Sequence, residues 1–442
     1  MVGIRVIDAS RGDAVAELRA LRRSLLLDHL ILDEPPETAT VRGIIADVRE
    51  RGDEAVAAIT ARVDHADVPP DKVLVPPEVI ARARDALDAG LMGAVRHAVA
   101  AVRRFQESLM TSQPAPVQVD GLTLSLRTSP VARVGVCVPG AAAPLPSSVI
   151  HCAVPAQVAG VREIAVVAPP RHQGDVHPTI LAVCGELGIT EVYRMGGAQA
   201  IAALALGTRR IRRVDKIVGP GGMYVQLAKR YLYGVVDIDM FAATTEVVII
   251  ADSSARPEFV AADMLAQAEH NPGSSVLLTD DPAMVAKVRA ALDEQIAQLS
   301  TGAAAARWLA ELGAIVLVRD MDEAVAIAND VAPEHLQVET RRPRELAERI
   351  PSAGAIFLGH YSPESAGDYV AGPSHTLPTG GTARFWSGLS ALSFLRTTSM
   401  IEYAPAALKR DAEAIDRIAR AEGLEAHARS ATRRVADEMR DE

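Results

Sequence analysis

The chain has 442 residues, 49% of them apolar, and a formal net charge of −10. That is enough length and apolar content for two or more domains, each with its own core, and it excludes a disordered or low-complexity protein. The acidic balance argues against nucleic acid or an anionic membrane as partner, because both call for a basic surface; an enzyme acting on small molecules is the expectation. Three cysteines, Cys137, Cys152 and Cys184, without CxxC spacing, leave no disulfide framework and no thiolate zinc site. Any metal would be held by imidazole, carboxylate or amide oxygen. The first residues, MVGIRVIDASRGD, meet Arg5 and Asp8 before an apolar run could form a signal sequence, and no window approaches a membrane-spanning run. A cytoplasmic location is expected.

Residues 1 to about 130 read mostly as helix, from DAVAELRALRRSLLL through ETATVRGIIADVRERGDEAVAAITARV to PPEVIARARDALDAGLMGAVRHAVAAVRRFQESL, with apolar residues at helical spacing. From residue 133 the rhythm changes: RVGVCV, EIAVVA, EVYRM and RVDKIV read as strands, with SSVIHCAVPAQVA, PTILAVCGELG, AQAIAALALG and MYVQLAKRYLYG as the helices between and after them. A second series follows, with EVVIIA, SVLLT, AIVLV, HLQVE and GAIFLG as strands. Two such series predict an α/β fold of two Rossmann-like, doubly wound parallel-sheet domains. We divide the chain into an N-terminal helical segment (1–32), one domain of 33–136 and 247–388, a second of 137–246, and a helical C-terminal tail (389–442). In the tail, EAIDRIARAEGLEAHARSATRRVADEM reads as an amphipathic helix pair broken at Gly423.

Four groups of residues invite chemistry. In MLAQAEHNPG, Gln267 and His270 stand three apart on a helical pattern stopped by Asn271-Pro272-Gly273, so both share the stripe of Val260 and Met264 and point inward. A metal ion and a hydrogen-bonded core pair both explain that stripe. In APEHL, Glu334 and His335 are two groups able to take protons near neutral pH, and Pro333 puts them at a turn where one pocket would receive both; the other reading is an exposed loop. In ESAGDY, small residues surround Asp368, which suits either a crowded site or a turn cap, and GPSHTLPTGG follows at once. Glu422 and His427 in EGLEAH are the fourth group, or else charged decoration of a surface helix. No GxGxxG follows any strand. Three glycine-rich strand-to-helix junctions, Pro139-Gly140, Gly196-Gly197 ahead of Gln199, and Gly219-Pro220-Gly221-Gly222, together favour a nucleotide-like ligand.

Taken in order, QAEH, APEHLQV, SAGDY, GPSHTLPTGGTARF and EGLEAHARS resemble the histidinol dehydrogenase family over nearly the whole chain. The resemblance implies an intertwined homodimer in which the C-terminal segment of one subunit completes the other's active site. It implies oxidation of L-histidinol through L-histidinaldehyde to L-histidine, the last step of histidine biosynthesis, with NAD and one zinc ion. The zinc ligands would be Gln267, His270 and Asp368 of one chain and His427 of the other, a set that suits a borderline ion. His335 would take the alcohol proton and Glu334 would activate the attacking water. Thr245 and Glu422 would hold the substrate together with Gln267, His270, His335, Asp368 and His427. Cys137, Gln199 and Gly222 would line the NAD side, in 137–246, and the metal and catalytic residues would lie in the other domain.

Several positions depart from the family's pattern. The usual GxYVPGG is GVCVPGA here, so Cys137 replaces a tyrosine and Ala141 a glycine. Gly222 stands for the asparagine of GPGN, Thr245 for the serine of AGPSE, and Ser374 for the asparagine of GPNH, whereas Gln199 fits. Such departures on the cofactor side leave room for a paralogue that oxidises another primary alcohol, such as a hydroxylated sulfonate or a secondary-metabolite intermediate. They also leave room for a non-catalytic zinc-binding paralogue, against which the presence of both Glu334 and His335 speaks.

Overall fold

A computed structural model describes residues 3–25, 35–111, 114–140, 144–242, 244–270 and 272–441. Ala141, Ala243 and Asn271 lie outside the described residues, as does part of the segment 1–32. The chain divides into two compact units, one made of Met1–Leu109 and Val131–Phe394, the other of Met110–Pro130 and Leu395–Glu442.

The larger unit is built on two parallel sheets. One has six strands in the order Arg5–Asp8, Ala314–Leu317, Gly273–Thr279, Thr245–Ala251, His335–Glu339, Ala355–Leu358. Its central strands are continuous apolar runs because both faces are covered. Val248, Ile250, Val276, Leu278 and Val316 pack against helices Ala14–Arg22 and Met321–Val331. The alternate residues Val247, Ile249, Leu277 and Ile315 pack against Pro257–Ala268, Pro282–Ile296 and Gly302–Leu312. Burying each such side chain contributes roughly 1.5–3 kcal/mol. The other sheet has five strands in the order Glu191–Arg194, Glu163–Ala168, Arg133–Cys137, Lys216–Val218, Asp237–Ile238. Counted along the chain its order is 3-2-1-4-5, and the six-stranded sheet repeats this with Arg5–Asp8 added beside its third strand. Each order reverses between the first and fourth strands, and in the five-stranded sheet a cleft opens there at the carboxyl ends.

Three readings of the sequence are corrected here. The segment 1–32 is not only helical, since Arg5–Asp8 is an edge strand parallel to Ala314–Leu317; four residues are too few for a period of two to show, and the partner lies at the far end of the domain. Residues 33–136 do not join the six-stranded sheet. Helices Glu37–Arg51 and Asp53–Asp64 lay Val41, Ile44, Val48, Val56 and Ile59 on the side of the five-stranded sheet that carries Ala165, Val167 and Tyr193, and Arg133–Cys137 is that sheet's central strand. An amphipathic stripe says that a helix has a partner, not which sheet supplies it.

The third correction concerns the smaller unit, where 117–130 and the start of the tail are strands. Leu395–Tyr403, Leu122–Pro130 and Val117–Val119 form an antiparallel sheet, with Leu395 opposite Pro130 and Tyr403 opposite Leu122. Within it Leu126, Met400 and Ile401 stay exposed, so no in-and-out alternation marks these strands in the sequence. The helix pair is present as Pro405–Ala421 and Glu425–Asp441, separated at Gly423 with φ 76°. No helix among the described residues is long and apolar enough to cross a membrane.

Candidate active site

The first cluster forms at the amino ends of two neighbouring strands, Thr245–Ala251 and His335–Glu339, against the end of helix Pro257–Ala268. Gln267 is fully buried on the stripe of Val260 and Met264. The chain then folds back at once into the strand Gly273–Thr279; a Cβ at Gly273 would lie 1.9 Å from the Gln267 carbonyl oxygen. The helix therefore stops at Ala268, and His270 lies exposed just beyond its end, with a ring nitrogen within 4.8 Å of ligand atoms of Glu364 and Asp368.

Helix Met321–Val331 ends on Ala332 in the left-handed conformation, φ 47°. That turn carries Glu334 and His335 into one pocket, where both are buried and His335 Nδ1 lies 3.9 Å from Glu334 Oε2. The loop is pinned by Gly354 N donating to Pro333 O at 2.9 Å and Ala355 N donating to Glu334 O at 2.8 Å. APEHL is thus a buried corner and not an exposed loop.

Around this corner the side chains form one connected set. Thr245 Oγ1 lies 2.8 Å from the Gln267 side-chain amide and 2.6 Å from Glu334 Oε2, which also accepts from Glu246 N at 3.0 Å. The amide is satisfied at both ends when Nε2 donates to Glu364 Oε1 at 2.8 Å and to His335 Nδ1 at 3.2 Å while Oε1 accepts from Thr245 Oγ1.

Glu364 and Asp368 sit one turn apart on the short helix Glu364–Tyr369, and with His270 they offer ligand atoms all within 4.8 Å of one another. Among the described residues neither buried glutamate of the pocket has a lysine or arginine against it, and both lie near the His335 ring. Glu246, by contrast, is paired with buried Arg22 and accepts from Gly380 N at 3.1 Å. Burial accordingly pushes the Glu334 and Glu364 carboxyls well above their usual range, raises Asp368 to about 6 and lowers His335 to about 3.

Two members of this set were not singled out from the sequence, Glu364 and His375. Glu364 stands four residues before Asp368, a helical spacing hidden in a helix of six residues. His375 Nδ1 is 3.8 Å from Asp368 Oδ1, and its ring stacks on buried His151 with centroids 4.5 Å apart. A cleft of about 640 Å³ opens beside them, lined by His335, Asp368 and His375 together with Phe105, Phe357 and Leu377.

A second cleft, also of about 640 Å³, opens in the five-stranded half of the unit, lined by Cys137, Val167 and residues that follow its strands. All three glycine-rich junctions reach it, as do Cys137, Gln199 and Gly222. Helices Gly197–Leu206 and Met223–Leu232 begin there without side-chain caps, so their first N–H groups are available to an anion. The Gln199 side-chain Nε2 is buried without a partner. Burial pushes the Cys137 thiol up to about 12, so it acts as a small apolar residue, and a Cβ at Gly222 would meet nothing within 4 Å. Gly219 has no such latitude: its φ is 109° and a Cβ would lie 2.3 Å from the Cys137 carbonyl oxygen. Gly219→Ala should cost about 2–4 kcal/mol in a denaturant melt; a loss under about 0.5 kcal/mol would contradict this close approach.

Glu422 and His427 are placed in the smaller unit, Glu422 as the cap of Pro405–Ala421 and His427 in the first turn of Glu425–Asp441, both exposed.

Residues 32–435 match the model of the histidinol dehydrogenase family. The chain is 49% identical over 398 residues to the histidinol dehydrogenase of Nitratidesulfovibrio vulgaris, covering 89% of this chain and 91% of the relative. It is 46% identical over 392 residues to that of Bacillus subtilis, covering 88% and 91%. A crystal structure of histidinol dehydrogenase from Elizabethkingia anophelis superposes with a TM-score of 0.90 at 31% identity, covering 99% of both chains. The motifs met one by one along the sequence therefore have a common origin, and the chain is an oxidoreductase belonging to the histidinol dehydrogenase family.

Proposed function

We propose that the protein oxidises L-histidinol through L-histidinaldehyde to L-histidine, the last step of histidine biosynthesis, in the cytoplasm, with NAD and one zinc ion per site. The observation that carries the reading is the gathering of His270, Glu364 and Asp368, whose ligand atoms all lie within 4.8 Å of one another, beside the Gln267 amide and against the Glu334–His335 corner. Hard and borderline donors with no cationic side chain among them fit a divalent ion. Two Rossmann-like halves, one holding the metal and one the dinucleotide, are what the strand orders support.

Bound zinc would orient the substrate's amine and imidazole, and bound NAD would accept the hydride. The chain's own groups do the rest. Burial keeps His335 a neutral imidazole, held at Nδ1 by the Gln267 amide, and as such it would take the alcohol proton. Glu364 Oε1, 3.3 Å from His335 Nδ1, favours the imidazolium once formed. Glu334, fixed by Thr245 and Glu246, would take the proton of the water that adds to the aldehyde. The Thr245 hydroxyl joins Glu334 to the Gln267 amide. The exposure of Glu422 and His427 in the smaller unit suits their delivery to the site of a second copy of the chain, in an intertwined homodimer.

The test is direct. Purified protein with L-histidinol and NAD should form two NADH per histidine, read at 340 nm; no turnover at millimolar substrate would refute the reading. A second reading, oxidation of another primary alcohol, is favoured by Thr245, Cys137 and Gly222, and it gains if histidinol fails while such an alcohol reduces NAD.

A further inference from the structure

Among the residues lining the cleft of the five-stranded sheet, the charged ones are Arg62, Asp64 and Arg171. Arg171 follows the second strand, Glu163–Ala168, by three residues, in the sequence Ala168-Pro169-Pro170-Arg171. In a parallel sheet whose order reverses beside its first strand, the end of the second strand is where the adenosine half of a dinucleotide lies. No carboxylate occurs in that stretch, and an arginine does.

The way Arg171 is held matters more than its presence. Its Nε donates to Asp64 Oδ1 at 2.8 Å, and its Nη2 donates to the Val63 carbonyl at 3.3 Å, both at the last turn of helix Asp53–Asp64. The Asp64 side chain is 4% exposed, while that of Arg171 is 41% exposed. A cation at a helix carboxyl end is also favoured by the helix dipole. An arginine serving only to neutralise Asp64 would spend both prongs of its fork on the carboxylate. Here the contacts are divided between two groups on one side, and among the described residues Nη1 has no partner. The buried carboxylate holds the guanidinium by one side in the lining of the cleft.

We propose that Arg171 binds a phosphate of the adenosine half of the dinucleotide, with Asp64 as the residue that positions it. This rests on the cleft being the dinucleotide site. The shared chemistry is a phosphate ester on adenosine, either the pyrophosphate or a 2′-phosphate, and a planar guanidinium matches both. It supplies the anion contact that the missing GxGxxG loop would otherwise share.

The test is calorimetric titration of the full-length, metal-loaded protein with adenosine, ADP, NAD and NADP. Arg171→Ala should weaken ADP about ten- to a hundredfold, the range of a charge-assisted hydrogen bond, and leave adenosine within about twofold. If NAD falls with ADP the phosphate is the pyrophosphate; if NADP alone falls it is the 2′-phosphate, and ADP is then unchanged. Because Arg171→Ala strands a buried carboxylate, the double variant Arg171→Ala/Asp64→Asn is titrated beside it, and its melting temperature is compared with the wild type. The double variant should show the same loss, and Asp64→Asn alone a smaller one. Equal losses for adenosine and ADP, or no loss for ADP, NAD and NADP alike, overturns the assignment. A wild type that binds neither ADP nor NAD overturns the dinucleotide reading as well, so the two failures are told apart.

Discussion

A chelator that strips zinc from the holoenzyme should abolish histidinol oxidation, with activity falling by about three orders of magnitude or more and returning on addition of one equivalent of Zn²⁺ per site. The expectation rests on His270, Glu364 and Asp368, whose ligand atoms all lie within 4.8 Å of one another. The pH dependence follows with its sign. Burial raises Asp368 to about 6 in the metal-free chain, and a ligating carboxylate must be ionised. Metal binding therefore releases a proton below that pH, and affinity should fall as pH drops through about 6. Competition titrations with a chromophoric chelator at several pH values read this directly. Affinity that is flat, or that rises towards acid, would exclude Asp368 as a ligand.

The two residues of the buried corner should fail in different ways. His335→Asn should lower kcat for the first oxidation by about 10²–10⁴, the usual worth of a positioned base. Glu334→Gln should spare the first oxidation and block the second, so that one NADH forms per substrate and histidinaldehyde accumulates, measurable with a carbonyl trap. Stability should move the opposite way. Burial raises the Glu334 carboxyl well above its ordinary range, so the folded state holds its proton more tightly than the unfolded chain. Its contribution to stability is then lost as pH rises above the unfolded value towards the folded one. Glu334→Gln removes that penalty, and in the metal-free protein its melting temperature relative to the wild type should rise between pH 5 and 8. Equal loss of both oxidation steps in Glu334→Gln and His335→Asn would refute the division of labour.

Much of this site was legible because helices and strands have fixed periods. The three-residue spacing of Gln267 and His270 placed them at one helix end, and the strand-like HLQVE following Pro333 put Glu334 and His335 at the corner where a strand begins. That His270 falls exposed beyond the helix end was not legible, because it depends on where the helix stops, and that is set by the close approach of Gly273 to the Gln267 carbonyl. Glu364 escaped notice because six residues carry almost no periodicity, and His375 because its partner Asp368 lies across a turn. The antiparallel strands of the smaller unit were illegible for a different reason: exposed on both faces, they lack the alternation by which a half-buried strand is known.

By itself the sequence determined the alternation of buried strands and amphipathic helices, the exclusion of thiolate metal chemistry, and the ordered motifs that carry the family. Those are local properties, written in neighbours a few residues apart. Tertiary structure alone decided which sheet the helices of 37–64 cover, that Arg5–Asp8 closes an edge, that Glu246 rather than Glu334 receives Arg22, and that Asp64 orients Arg171. Each of these joins residues far apart in the chain, and which partner a charge or an apolar face finds depends on how the layers stack.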